Sequence, residues 1–334
     1  MTLSVCATVE RWPLKAPFSI SRYTFTNSLI VTIRVRDAAG HEGIGECEPH
    51  EWDETTGLAM LSDAGLTPDT WSTPGWANTQ VSRNDLISQL PRSPVRNAID
   101  CALWDLECKQ AGKRASEVAG LSWGEQPVIP TIGIETPEKM AKIARSFGAV
   151  SMIKVKLGSS DGLDAERMEA VSEAVGGIPL LIDVNTGWTP ETLRSMLPVA
   201  RRCNVRIIEQ PMLPEFDAEM PPPQDGMLYC ADESCLDRSS LSRIQPYFQY
   251  INIKLDKTGG LTEALALRAE AERLGMGVMV GMMSGTSLAV APASLLAQGL
   301  DVVDLELGFL KQDREPPMRI VGDKLLPPEP ALWG

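Results

Sequence analysis

The sequence predicts an α/β protein: a (β/α)8-type barrel with an N-terminal α+β capping domain. Three observations carry this. Eight short apolar runs follow one another from about residue 128, most of them trailed by a helical stretch. The first 115 residues follow a different rhythm, a strand meander and then a long helix. Polar residues also recur at the ends of successive apolar runs, each about one strand-helix unit after the last.

In chain order, residues 2–11 and 28–36 alternate as half-buried strands do. DAAGHEG (37–43) supplies a turn and IGECEP (44–49) a further strand, so an antiparallel meander is expected. Proline, glycine and tryptophan punctuate 67–80. In SPVRNAIDCALWDLECKQAG (93–112), Val95, Ala98, Ile99, Ala102, Leu103 and Leu106 recur at helical spacing, and Gly112 is the stop. The barrel strands are expected in VIPTIGI, SMIKVKL, PLLIDVN, VRIIEQ, MLYCADE, YINIKLD, GVMVGMM and VVDLEL. Helices are expected at 136–147, 164–175, 189–202, 261–274 and 286–298. Parallel strands covered on both faces read as near-continuous apolar runs, and strand-helix alternation makes a barrel of them. A doubly wound open sheet would carry a glycine-rich phosphate turn after its first strand, and the sequence has none. The tail, 317–334, has one short strand-like piece and is expected to pack on the N-terminal unit. The expected domains are therefore 1–115 with the return 317–334, and 116–316.

Composition narrows the function. With 334 residues, 43% of them hydrophobic and 22% charged, the chain reads as soluble and globular. A net charge of -13 argues against nucleic acid or an anionic membrane as partner. No run approaches a membrane span and the N-terminus lacks a signal-like apolar core, so a cytoplasmic location is expected. Seven cysteines without a CxxC pair read as reduced core residues. The only histidines are His41 and His50, which weakens histidine-dependent triads and histidine-rich zinc sites. Oligomeric state is left open, a homo-oligomer included.

The rim residues carry the chemistry. Lys156, Asp183, Glu209, Asp232 and Lys254 end five consecutive strands at steps of 27, 26, 23 and 22 residues. Strand ends of a barrel lie side by side around its mouth, where active sites of this architecture sit. Three carboxylates without histidine or cysteine suit a hard divalent cation, Mg2+. Lys154 and Lys156 share one strand face. The expectation is that Lys154 crowds Lys156 and lowers its pKa toward neutrality, making it a general base.

IKVKLG, LLIDVNTGW, IIEQP, CADES and INIKLDKTGGLTEAL, with RNAIDCALWDL (96–106) upstream, resemble the enolase superfamily, and within it the dipeptide epimerase family. The resemblance implies an enolase-like modified barrel with one Mg2+ on Asp183, Glu209 and Asp232. Lys156 and Lys254 become acid/bases on opposite faces of the substrate α-carbon, with Lys154 in support. The implied reaction is a 1,1-proton transfer on the C-terminal residue of a dipeptide through an enediolate, in murein peptide recycling. Asp304 and Glu306 would bind the dipeptide ammonium. Glu306 stands where the family has aspartate. Arg22, in the flap SRYTFTN (21–27), would meet a substrate side-chain carboxylate, and Thr131 would line the pocket. The flap and the 46–57 loop would exclude water. The rivals are an N-acylamino acid racemase or o-succinylbenzoate synthase using the same two lysines, and a non-catalytic metal- or ligand-binding barrel.

Overall fold

The computed structural model describes residues 2–21, 23–49, 54–78, 82–224 and 226–334. The meander forms as Ser4–Ser19, Thr24–Arg36 and Glu42–Cys47, all antiparallel. Its first two strands run well past the predicted ends. The ladder shifts between Pro13 and Phe18, since a proline has no N–H to donate, and then resumes with Phe18 opposite Phe25. This outer half of the hairpin lies on the barrel: Leu14 bridges to Leu310, and Lys15 N–H donates to the Phe309 carbonyl at 2.7 Å. Two helices, Glu54–Asp63 and Arg83–Gln89, lack a strong apolar period and are not apparent from the residue pattern. The second is held by a Ser82–Asp85 capping box.

Helix Pro94–Ala111 starts at the Ser93 cap and stops at Gly112, whose φ is +63°. It is buried on two sides. Val95, Ala98, Ile99, Ala102, Leu103 and Leu106 join the cap core, as their spacing predicts, while Cys101, Trp104 and Cys108 join the barrel core. Gly43 and Gly45 are needed there, because a Cβ on either would sit 2.1 Å from a helix carbonyl oxygen. On the barrel side Arg96 Nη2 donates to the Thr258 carbonyl at 2.8 Å and Asn97 Nδ2 to Asp256 at 2.8 Å.

The eight predicted runs form one curled parallel sheet in chain order: Thr131–Ile132, Ile153–Lys156, Leu180–Asp183, Val205–Glu209, Leu228–Ala231, Tyr250–Ile253, Gly277–Val280 and Val302–Val303. A hydrogen bond from Ile129 N–H to the Val303 carbonyl, 2.9 Å, crosses the seam between first and last strands. The five predicted helices appear within a residue or two, at Pro137–Ser146, Asp164–Val175, Pro190–Arg202, Leu261–Arg273 and Ser287–Leu296. Among the described residues only a 3-10 turn, Pro214–Glu219, follows the fourth strand. The tail meets both units: its hairpin, Ile320–Val321 and Lys324–Leu325, pairs with Gln126–Pro127 of the barrel unit, while Trp333, fully buried in the barrel core, donates from Nε1 to the Cys101 carbonyl of the N-terminal helix at 3.0 Å. Among the described residues no helix is long and apolar enough to cross a membrane, and all seven cysteines are free and buried.

Candidate active site

The barrel interior is layered by the period of two. Ile129, Leu181, Ile207, Cys230, Met279 and Val302 form an apolar floor, with Met152 and Tyr250 against it. Two residues further along the same strands stand Thr131, Lys154, Asp183, Glu209, Asp232, Asn252, Gly281 and Asp304. The residues between them, such as Ile153, Val155, Ile182 and Ile208, face the helices. An inward apolar residue followed two later by a polar one, strand after strand, builds a polar mouth over a dry floor. Gly281 is the exception, since a Cβ there would lie 2.8 Å from Asn252 Oδ1.

The predicted residues meet at this mouth. Lys156 Nζ lies 2.6 Å from Asp183 Oδ2 and 3.1 Å from Asn185 Oδ1. Lys254 Nζ lies 2.6 Å from Asp232 Oδ2. Both lysines line one cavity of about 350 Å3, with Thr131, Asp232, Asp304 and Glu306. Lys156 ends the second of eight strands and Lys254 stands just past the sixth, half a turn apart. Asp304 and Glu306 lie just past the last strand rather than on it, and still share the cavity. Met282, Met283 and the cap residues Leu14, Phe18, Ile20 and Phe25 complete its apolar wall. Arg22 and residues 50–53 of the second loop lie outside the described residues.

One expectation is corrected. Lys154 does not act here as a bare cation pressing on Lys156. Its Nζ sits 2.9 Å from Asp183 Oδ2, 2.9 Å from Glu209 Oε2 and 2.6 Å from Asp304 Oδ2. Burial works to lower the Lys154 pKa, but Asp183, Asp304 and Glu209 outweigh it and hold it well above the ordinary lysine value. Lys254 is likewise raised, because Asp232 and Glu209 overcome burial. Asp183 is held below the usual carboxylate range: Lys154 and Lys156 outweigh its burial. Glu209, which shares the Lys154 ammonium, is pushed up by burial and by Asp183. Burial, with the neighbouring acid, lifts Glu233 and Glu306 to about 8.

By type the donors suit a hard dication, since all of them are carboxylate oxygens. Six carboxylates (Asp183, Glu209, Asp232, Glu233, Asp304, Glu306) face four lysines (Lys154, Lys156, Lys254, Lys257) around one mouth. Buried Glu209 Oε2 and Asp232 Oδ1 touch ammonium groups without a well-aligned hydrogen bond. As the side chains stand, no three His, Cys, Asp or Glu among the described residues are close enough together to hold an ion. Lys154 lies between Asp183 and Glu209, and Asp232 is held by Lys254 and Lys257.

Residues 2–120 match the mandelate racemase / muconate lactonizing enzyme N-terminal domain, and residues 140–313 the enolase C-terminal domain-like family. The chain belongs to the enolase superfamily. Among superfamily relatives, the L-Ala-D/L-Glu epimerase of Escherichia coli K12 is 34% identical over 95% of this chain and 97% of its own length. The N-acetyl-D-glutamate racemase of a Pseudoalteromonas species is 35% identical over 76% of this chain and 81% of its own. An enolase family member from Agrobacterium tumefaciens with homology to dipeptide epimerases, solved with sodium and L-Ala-L-Glu, gives a TM-score of 0.90 at 37% identity, covering 99% of this chain and 100% of that one. The Cytophaga hutchinsonii dipeptide epimerase, solved with Mg and D-Ala-L-Val, gives 0.81 at 27% identity over 98% and 94%.

Sequence reasoning missed several residues of this candidate site. Lys257 Nζ reaches Asp232 Oδ1 at 2.5 Å and the carbonyls of Asp232, Asn252 and Cys235 at 2.6, 2.9 and 3.1 Å. Asn252 Nδ2 donates to Glu209 Oε1 at 2.6 Å. Gln210 Oε1 accepts from Asp232 N–H at 2.9 Å, and its Nε2 donates to Ser234 Oγ at 2.9 Å, tying two metal-candidate loops together. The period of two would have found Asn252, two before Lys254. Nothing local marks Lys257, which lies in a short helix, Leu255–Thr258.

Proposed function

We propose that this chain is a Mg2+-dependent dipeptide epimerase, an isomerase acting at the α-carbon of the C-terminal residue. The observation that carries the reading is the pair of lysines, Lys156 and Lys254, half a turn apart across one cavity that also holds Asp304. Asp183, Glu209 and Asp232 would hold the metal, consistent with the Mg found in the Cytophaga relative. When bound, Mg2+ supplies the positive charge against which negative charge builds up on the substrate carboxylate.

With Asp232 and Glu209 committed to the metal, the charges that raise Lys254 would be offset; one lysine, entering neutral, takes the α-proton, and the Cα–H electron pair passes into the carboxylate. The other lysine, entering protonated, returns a proton from the opposite face. Asp304 receives the dipeptide ammonium; Glu306, expected to share it, instead accepts Thr131 N–H at 2.6 Å. The unit 1–115, with the return 317–334, caps the barrel unit 116–316 and closes the mouth with Leu14, Phe18, Ile20 and Phe25. Arg22 is proposed as the partner of an acidic substrate side chain. A cytoplasmic enzyme fits the free cysteines, and murein peptide recycling is what the family resemblance suggests.

N-acylamino acid racemisation is the second reading, favoured by the likeness to N-acetyl-D-glutamate racemase. Epimerisation of L,L-dipeptides in deuterated water, read as a one-deuteron mass gain, tests both. Turnover of free dipeptides that stops on exhaustive chelation and returns with Mg2+ is expected. Equal kcat/KM for a dipeptide and its N-acetyl form overturns the dipeptide reading in favour of the racemase, and absence of any α-proton exchange overturns both.

A further inference from the structure

The seam between the first and last strands is closed in an unusual way. Ile129 N–H donates to the Val303 carbonyl at 2.9 Å, as a parallel ladder requires. The next N–H of that strand facing the seam is Thr131's, and the ladder would give it the carbonyl of Leu305. Instead Glu306 Oε1 accepts it, at 2.6 Å. The Thr131 hydroxyl then donates to Asp304 Oδ1 at 3.0 Å, and Asp304 Oδ2 receives Lys154 Nζ.

We propose that Glu306 is a positioning residue whose carboxylate replaces a ladder carbonyl, latches the first strand to the segment after the eighth, and through Thr131 fixes Asp304 as the group that receives the substrate ammonium. Thr131 is thus held by one acid and holds the other. Thr131 and Glu306 line both the main cavity and a cleft of about 420 Å3 outside the seam, which extends to Ser146 and Asp323. The latch is the wall the two share. Side-chain length is part of the device, because an aspartate at 306 is one methylene short of Thr131 N–H. Burial and Asp304 lift the Glu306 carboxyl to about 8, which weakens it as a charge partner near neutrality.

The role given to Asp304 rests on the dipeptide reading; the latch itself does not. The test compares Glu306→Gln, which keeps an oxygen acceptor, with Glu306→Leu and Glu306→Asp, which do not reach Thr131. In amide hydrogen exchange, Thr131 should stay protected to within about threefold in the Gln variant. It should exchange at least about tenfold faster in the other two, the scale of one lost hydrogen bond. With dipeptides, the Leu and Asp variants should raise KM and reduce the preference for free over N-acetylated substrate about tenfold, with kcat less affected. The Gln variant should lose much less of that preference than Asp304→Asn. If all three variants keep Thr131 protected, or if Glu306→Gln loses as much preference as Asp304→Asn, the proposal is overturned. Should the parent turn over no dipeptide, the exchange result still decides the latch, and only the dipeptide reading fails.

Discussion

The two sides of the mouth are built from the same parts and use them differently. On one side Lys156 grips Asp183, with Lys154 as its second lysine; on the other Lys254 grips Asp232, with Lys257 as its second. Both catalytic candidates hold their acid at 2.6 Å. The second lysines part company. Among the described residues Lys154 meets side-chain carboxylates alone, Asp183 and Glu209 at the ends of the third and fourth strands and Asp304 just past the eighth. Lys257 spends its donors mostly on three backbone carbonyls. A lysine among carboxylates contributes charge, which another cation can supply. A lysine among carbonyls contributes directed hydrogen bonds that shape a loop, and nothing diffusible replaces those.

The largest effect should come from the residues in which the two sides match. Lys156→Ala and Lys254→Ala should each cut epimerisation about 10²- to 10⁴-fold, the usual weight of a general acid or base. Each should still exchange the α-proton of one epimer in deuterated water. A single variant that interconverts epimers at the parent rate would end the two-base scheme.

The second lysines should separate next. Removing one partner of a buried ion pair costs about 3–5 kcal/mol, so Lys154→Met and Lys257→Met should both lower stability in chelator. Saturating Mg2+ should recover most of the Lys154→Met loss and little of the Lys257→Met loss, read as denaturant midpoints. Equal recovery in both would erase the contrast between the two lysines.

A smaller effect concerns the acids flanking each side, Glu306 and Glu233, both lifted from 4.5 to about 8. A carboxyl with a raised pKa binds its proton more tightly folded than unfolded. Its contribution is therefore complete below the unfolded value and is lost as pH rises through about 8. The metal-free protein should melt at a lower temperature at about pH 9 than at about pH 6, and Glu233→Gln should flatten that slope. A Tm that rises over this range would refute the assignment.

The smallest effect should be Asn185→Ala. It removes the extra acceptor that Lys156 has, at 3.1 Å, and should cost about 1.5 kcal/mol at most, roughly tenfold in kcat/KM. A loss as large as that of Lys156→Ala would mean that Asn185 does more than orient the lysine.

Much of this site is legible in the order of the residues alone. The strand order and the rim residues Lys156, Asp183, Glu209, Asp232 and Lys254 follow from spacing, because parallel strands in sequence order place their ends side by side. The period of two assigns Lys154 and Lys156 to the same inward face, since alternation along a strand is a local backbone property. Helices 54–63 and 83–89 are not legible in this way, having no clear apolar stripe to announce them.

The pairing of the charges lies beyond the sequence. Lys154 and Asp304 are 150 residues apart, and Thr131 and Glu306 are 175 apart. Local rules say which way a side chain points, while its partner depends on which strands the closed sheet brings together and how far each side chain reaches. The sequence determined that two lysines and a set of acids would face one mouth. Only the tertiary structure decided that Lys154 would be neutralised by three of those acids, that Lys257 would clamp backbone, and that Glu306 would close a seam, because Coulomb and hydrogen-bond energies depend on ångström-scale distances that spacing along a chain does not contain.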